Sequence, residues 1–308
     1  VLAISLIPSF RSRFLKYGAR ASVGLATSQD EKTNGSRKEM YERRESLNRA
    51  SSALDFLAEW KVPHDWFTSF YCIALSACAF WPIEILYLRG PSWNAVLDWV
   101  EPTSRSMSFQ QLQVTWTMML AQSARRLYEC HTLESSSTSR MWVGHWVMGV
   151  LFYAATTIAI WIEGIPSLAG HVLSSADLAL RAPSLRTLFA VNLFILASEF
   201  QHDVHAHLAS LKRRRQGSEQ AGGGYAIPTH PAFASLVAPH YTAECVIYLA
   251  LAIEAAPPGA WLNKTLICAL VFVVVNLGVT AYGTKKWYEE KFGKDSVQNR
   301  WRMIPLLY

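Results

Sequence analysis

Charge is what this chain is short of. Only 17% of its 308 residues are Asp, Glu, Lys or Arg, against roughly 25% in soluble domains. Cysteine is sparse and unpaired in pattern. Cys72, Cys78, Cys130, Cys245 and Cys268 form no CxxC, and four of the five lie in apolar runs. That excludes a disulfide framework or a cysteine zinc site and leaves small core hydrophobes. A GxGxxG turn is also missing. The glycines at 222–224 do not follow a strand, so no Rossmann fingerprint is present. No internal repeat is found.

What fills the sequence instead is apolar, and it comes in blocks. Hydrophobic residues make up 51% of the chain. Six segments reach the roughly 20 residues that a bilayer span needs: 67–88, 107–128, 141–162, 185–205, 236–256 and 261–283. The last carries LICALVFVVVNLGVTAYG without a charge. The second is the most polar, with Gln110, Gln111, Gln113, Gln122, Arg125 and Arg126, so one of its faces must avoid lipid. Residues 1–8 (VLAISLIP), followed by Arg11, Arg13 and Lys16, are expected to be the end of a further, truncated first span. The expected fold class is an all-α integral membrane protein of about seven transmembrane helices.

The net charge of +6 follows topology rather than nucleic-acid binding. Loops on one side (9–66, 125–140, 206–235 and the tail from 284) hold 24 of the 29 Lys and Arg residues. Arg89, Arg105, Arg181, Arg186 and Lys264 alone fall on the other. The positive-inside rule places the richer side in the cytosol. Residues 27–52 read as a solvated cytosolic loop, and 54–66, with Trp60 and Trp66, as an interfacial segment. Residues 1–66 thus form an N-terminal region ahead of a six-helix core at 67–308. No obligate protein partner is evident, and the expected partners are bilayer lipids.

Four polar stretches interrupt this apolar background. The first runs from Glu199 through Gln201, His202, His205 and His207 to Lys212-Arg-Arg-Arg215. Three histidines in six residues raise the question of a metal. At about 100° per residue, His205 and His207 diverge by roughly 160°, so they cannot share one on a continuous helix. No metal is expected. Gln201, His205 and Lys212 instead fall within roughly 40° of one face. A polar face leaving the membrane is costly unless it is used. The plainer alternative for the Arg run is a stop-transfer cluster.

The second stretch leads from Tyr225-Ala-Ile-Pro228 to Pro239-His-Tyr-Thr-Ala-Glu244. Pro239 suits a helix start, and His240 and Glu244 then share a face. Glu244 sits in an apolar run and needs a partner, either a ligand or a cation from another helix. The third holds Asn276 within a charge-free span, then Lys285, Tyr288, Lys291 and Arg300-Trp-Arg302, alternatively an interfacial anchor. The fourth, Gln122-Ser-Ala-Arg-Arg-Leu-Tyr-Glu129, puts Gln122, Arg126 and Glu129 on one face, where an arginine can simply pair with Glu129.

Taken in order, these motifs resemble the steroid 5α-reductase family. They are RRLYE with a following Met141 and His145, Gln-x-x-x-His near LASLK, Tyr-x-Ile-Pro, Pro-His-Tyr-x-x-Glu, a membrane Asn, Trp-Tyr-x-x-Lys-Phe and a final Arg-x-x-Ile-Pro. The match runs from about residue 60 to residue 308. The RRLYEC and VPHDWFTSFY forms are most similar to its polyprenal (polyprenol) reductase branch. The resemblance implies a multi-pass membrane enzyme of the endoplasmic reticulum. Its expected reaction is NADPH-dependent reduction of the α-isoprene C=C of polyprenal or polyprenol, feeding dolichol synthesis for N-glycosylation. NADPH would be held from the cytosolic side by residues of the region from about 185 to 308.

By that resemblance the cofactor-binding positions are Gln201, His205, Lys212, Tyr225, His240, Tyr241, Glu244, Asn276, Lys285, Tyr288 and Arg302. Lys285 stands where many relatives carry His, and the Tyr that meets the substrate carbonyl in steroid reductases is replaced near Ser123. Candidate catalytic residues are Glu84, Tyr128, His145 and Arg126, with Tyr87 a further intramembrane donor. The chemistry asks for a hydrogen-bond donor at the aldehyde oxygen while charge develops there, and for a proton at the α-carbon. The substrate is expected to be a long polyisoprenoid entering from the bilayer. The alternatives are another enoyl or steroid reductase, an isoprenylcysteine-type methyltransferase, a non-catalytic scaffold and a His-cluster oxygenase. The oxygenase is geometrically poor.

Overall fold

A computed structural model describes residues 52, 54–99, 105–133, 139–169, 171–179, 182–217 and 225–308. The expected truncated first span, the polar loop to residue 51 and the glycines at 222–224 lie outside the described residues.

The described chain is mostly helical, as expected. It divides into two compact units. The smaller comprises the segment to Trp66 together with Ser137–Met148. Here strands β1 (Lys61–Pro63) and β2 (Arg140–Trp142) pair antiparallel, with Val62 opposite Met141. The Trp142 indole donates to the Leu57 carbonyl at 2.9 Å, and Trp66 meets Trp146 edge-on at 5.3 Å.

The larger unit carries the remaining elements. Helix α1 (Thr68–Pro82) continues as a π-helical turn over Ile83–Leu88 and stops where Arg89 takes a left-handed backbone (φ 48°). Short α2 (Pro91–Leu97) follows, then α3 (Phe109–Thr132), α4 (Val143–Ile162, whose first turns belong to the smaller unit) and one-turn α5 (Ile165–Leu168). The C-terminal half is built from α6 (Leu185–Gly217), α7 (Pro239–Glu254) and α8 (Lys264–Phe292).

Local chemistry explains the ends. Ser108 and Gln111 form a reciprocal capping box at the start of α3, with bonds of 3.2 and 3.0 Å. Asn263 caps α8 by accepting from the Leu266 amide at 2.9 Å, and its own amide donates to the Ala255 carbonyl at 2.9 Å. Asn263 is fully buried. The Asn-Lys-Thr sequon it begins is therefore closed to a glycan in this fold.

The six apolar segments correspond to α1 with its π turn, α3, α4, α6, α7 and α8. Among the described residues, three helical stretches are long and apolar enough to cross a membrane: His64–Leu88, Val143–Ile162 and Lys264–Phe292. The other three differ for physical reasons. Helix α3 carries the glutamine and arginine face noted above. Helix α7, with 16 residues, rises only about 24 Å. Helix α6, with 33 residues, extends roughly 50 Å and changes from apolar to polar along its length.

The core of the larger unit centres on α7, where Ile247, Tyr248, Ala250, Leu251 and Ala252 are almost wholly buried. Helices α6 and α7 pack most extensively. Gln201 of α6 bridges this contact to His240 and Glu244 of α7. This pairing brings the polar half of α6 to the N-terminal end of α7.

Candidate active site

Start with Glu129 in the last turns of α3, which is 2% exposed. An unpaired carboxylate there would be very costly. It is not unpaired. Arg125 and Arg126 each bond one of its oxygens. His202 and His205 approach the same two oxygens at 2.9 and 2.8 Å through Nδ1. The two histidines sit three residues apart on α6, so both meet the same partner. His207 points away, as the helical angle requires, and packs near His230 at 5.5 Å between ring centres.

Both arginines have further partners. Arg125 donates to the side-chain oxygens of Gln122, at 2.8 Å, and of Gln201. Gln201 in turn donates to Glu244, at 2.5 Å, and to the His240 carbonyl, at 3.2 Å. Gln122 also reaches Glu244, at 3.3 Å. Arg126 places Nε and Nη2 on the Tyr71 hydroxyl at 3.1 and 2.9 Å. One connected network thus joins α1, α3, α6 and α7. The ring of His240 lies 5.4 Å from that of His205 and 4.3 Å from that of Tyr241.

Beside this network lies a cavity of about 210 Å³, lined by Arg126, Glu129, His205 and Lys212 with Leu133 and Leu208. Its lining mixes charged side chains (Arg126, Lys212 and Glu129) with aliphatic ones.

Of the cofactor positions implied by the motifs, the structure brings Gln201, His205, His240 and Glu244 into one network, with Tyr241 against His240 and Lys212 on the cavity wall. Tyr225, Tyr288 and Trp287 form an aromatic cluster at the end of α8, with Tyr225 4.9 Å and Tyr288 5.2 Å from the Trp287 ring. Arg215 lies 4.2 Å over the Tyr225 ring. Lys285 donates to the Gln298 and Arg300 carbonyls at 3.2 and 2.7 Å, tying down the tail. Arg302 stacks on Tyr308 at 4.6 Å and Tyr282 at 5.1 Å. Its carbonyl accepts from the Ala238 amide at 3.1 Å, directly before α7. Two buried atoms in this set, His240 Nδ1 and Asn276 Oδ1, have no hydrogen-bond partner among the described residues. Each such atom costs about 1–3 kcal/mol. A polar ligand could pair with either, the Asn276 oxygen as an acceptor and the His240 nitrogen as donor or acceptor.

Of the catalytic candidates, Arg126 lies in the network. Glu84 accepts from the Ser92 and Trp93 amides at 2.8 and 3.4 Å and so caps α2. Tyr128 and Tyr87 are exposed, at 61% and 81%. His145 belongs to the smaller unit. The motif reading did not single out Tyr71 or His202. Glu129 stands in the sequence reading on one face with Gln122 and Arg126, with an arginine as its plainer partner. The cross-helix partners lie far along the chain, and periodicity within one helix does not reveal them.

The network and the cavity share Arg126, Glu129 and His205, and together they form a polar cluster in a helical protein with three membrane-length apolar stretches among its described residues. Residues 168–308, which supply α6, α7, α8 and the tail, match the family described as 3-oxo-5-alpha-steroid 4-dehydrogenase. The resemblance read from the ordered motifs is thereby borne out. The relatives narrow it further. The chain is 25% identical over 298 residues to Polyprenal reductase 2 of Oryza sativa subsp. indica, covering 81% of this chain and 80% of the relative. It is 25% identical over 258 residues to Polyprenal reductase of Saccharomyces cerevisiae, covering 83% and 79%. With Polyprenal reductase of Caenorhabditis elegans the figures are 27% over 243 residues, covering 76% and 75%.

Proposed function

We propose that this protein is an NADPH-dependent oxidoreductase that saturates the α-isoprene C=C bond of polyprenal, in the step that leads toward dolichol. The observation that carries the reading is the convergence of Gln201, His205, His240 and Glu244, with the buried Nδ1 of His240 unpartnered, within the stretch that matches the family model.

NADPH, when bound, supplies a hydride to an electron-poor carbon. The chain's residues do the rest. Glu244 is a carboxylate acceptor for hydroxyl or amine hydrogens, and Gln201 and Gln122 fix one of its oxygens. His240 and Asn276 offer unmet hydrogen-bonding atoms. Lys212 and Arg126 bring positive charge to the cavity wall, which suits phosphate oxygens. The aldehyde is the chemically preferable substrate, since only a conjugated carbonyl spreads the charge that arrives with hydride.

This reading completes the fold as a bundle of about seven spans in the endoplasmic reticulum membrane. The ligand site opens to the cytosol, on the side that holds 24 of 29 Lys and Arg residues. The polyisoprenoid arrives sideways from the bilayer. The test is purified protein in lipid nanodiscs with polyprenal and NADPH deuterated at the transferable position. One deuterium in the product, at the β-carbon, is expected. Binding of S-adenosylmethionine in place of NADPH would instead favour the methyltransferase alternative.

A further inference from the structure

The reaction requires a hydrogen-bond donor at the substrate's carbonyl oxygen. As hydride adds to the β-carbon, the C=C electron pair moves through the conjugated system toward that oxygen. Proton uptake at the α-carbon then completes the saturation. A fixed donor at the oxygen lowers the barrier because it is already in place when charge arrives.

Several candidates are committed elsewhere. Ser123 donates back to the Met119 carbonyl of its own helix at 2.8 Å. Glu84 caps α2. Tyr128 is exposed and stands two residues from Arg126 on α3, a spacing at which helical side chains do not face each other.

Tyr71 is different. It is 3% exposed, and its hydroxyl oxygen receives Arg126 Nε and Nη2 together, at 3.1 and 2.9 Å. A phenol oxygen has two lone pairs and one hydrogen. With both lone pairs taken by the guanidinium fork, its remaining capacity is to donate. Arg126 is itself anchored through Nη1 to Glu129, so the phenol is held from behind. The rings of Phe67, at 5.8 Å, and Tyr153, at 5.3 Å, pack edge-on against Tyr71, and the Tyr153 hydroxyl is a hydrogen-bond partner of the Tyr71 hydroxyl. An isoprenoid enal must part those ring edges and take the place of the Tyr153 hydroxyl to reach it, and a hydrogen bond made there acts away from water.

We propose that Tyr71 is the hydrogen-bond donor to the carbonyl oxygen of the α,β-unsaturated aldehyde, positioned by the Arg126 guanidinium. This rests on the reductase reading above.

The test is infrared difference spectroscopy of polyprenal labelled with ¹³C at the carbonyl, bound to the full chain with NADP⁺, alongside steady-state kinetics. In the wild type the carbonyl stretch lies below its value in lipid alone. Tyr71→Phe returns it toward the lipid value and lowers kcat by about 10²–10³-fold, with NADPH affinity unchanged within a factor of about two. Tyr71→3-fluorotyrosine keeps the shape and strengthens the donor, so it moves the stretch further down. An unshifted stretch in the wild type, or one that ignores both substitutions, overturns the proposal. So does joint loss of NADPH binding and activity in Tyr71→Phe with no change in the 3-fluorotyrosine variant. A wild type that binds NADPH and polyprenal but transfers no hydride overturns the reductase reading itself, whatever the spectrum.

Discussion

The side-chain amide of Gln201 on α6 reaches Glu244 on α7 at 2.5 Å and the backbone carbonyl of His240 at 3.2 Å. One residue thereby sets the orientation of the carboxylate and ties the first turn of α7 to the polar half of α6. Gln201→Ala removes both bonds and leaves Glu244 with the Gln122 contact at 3.3 Å. NADPH affinity is expected to fall by about 10–100-fold, the worth of hydrogen bonds to a charged group. A fluorescence titration with NADPH checks this.

Glu129 balances two guanidiniums and faces two histidines. Glu129→Ala leaves Arg125 and Arg126 without their shared counter-charge at 17% and 11% side-chain exposure. Breaking such a pair costs about 3–5 kcal/mol. A clear drop in the unfolding midpoint in detergent is expected, larger than that of Gln201→Ala. Thermal unfolding followed by intrinsic tryptophan fluorescence compares the two.

The tail holds the start of α7. The Trp301 and Arg302 carbonyls accept from the Val237 and Ala238 amides at 2.8 and 3.1 Å, and the Met303 carbonyl accepts from Thr242 Oγ1. Deleting residues 301–308 frees the segment that positions His240. Loss of NADPH binding is expected, while Arg302→Lys, which keeps charge but stacks less well on Tyr282 and Tyr308, gives a partial loss. Titration of both variants measures the difference.

Two glycines separate close approach from ordinary contact. A Cβ on Gly90 would stand 2.5 Å from both Glu84 carboxylate oxygens, whereas one on Gly278 would meet only Tyr308 at 3.6 Å. Gly90→Ala must push Glu84 off the amides of Ser92 and Trp93, at about 1–3 kcal/mol. Gly278→Ala is expected to be neutral or slightly stabilising, because Ala suits a helix interior better. Parallel thermal melts decide it.

Much of this architecture was legible in the sequence because hydrophobic blocks and helical angles are local. The apolar segment from 261 matched α8, and the divergence of His205 from His207 followed from 100° per residue. Glu244 was marked by charge inside an apolar run, and it did find partners in Gln201 and Gln122. The pairing of Arg126 with Tyr71 was not legible, since it joins residues 55 positions apart through tertiary packing. Nor was the role of Glu84. Its placement beside Gly90 depends on the left-handed backbone at Arg89, which composition does not reveal. Among the described residues, helix length and hydropathy support three of the six spans expected there, because α3 and α6 mix polar and apolar stretches along one rod and α7 is short.

The central claim is that Glu244 and its neighbours hold NADPH for reduction of polyprenal. The most direct measurement follows NADPH consumption and α-isoprene saturation together, in purified wild type and Glu244→Gln. The account predicts matched consumption and saturation in the wild type. In the variant both should fall, with the affinity for NADPH reduced. Unchanged NADPH affinity in Glu244→Gln, or polyprenal left unsaturated by a wild type that binds NADPH, would contradict it.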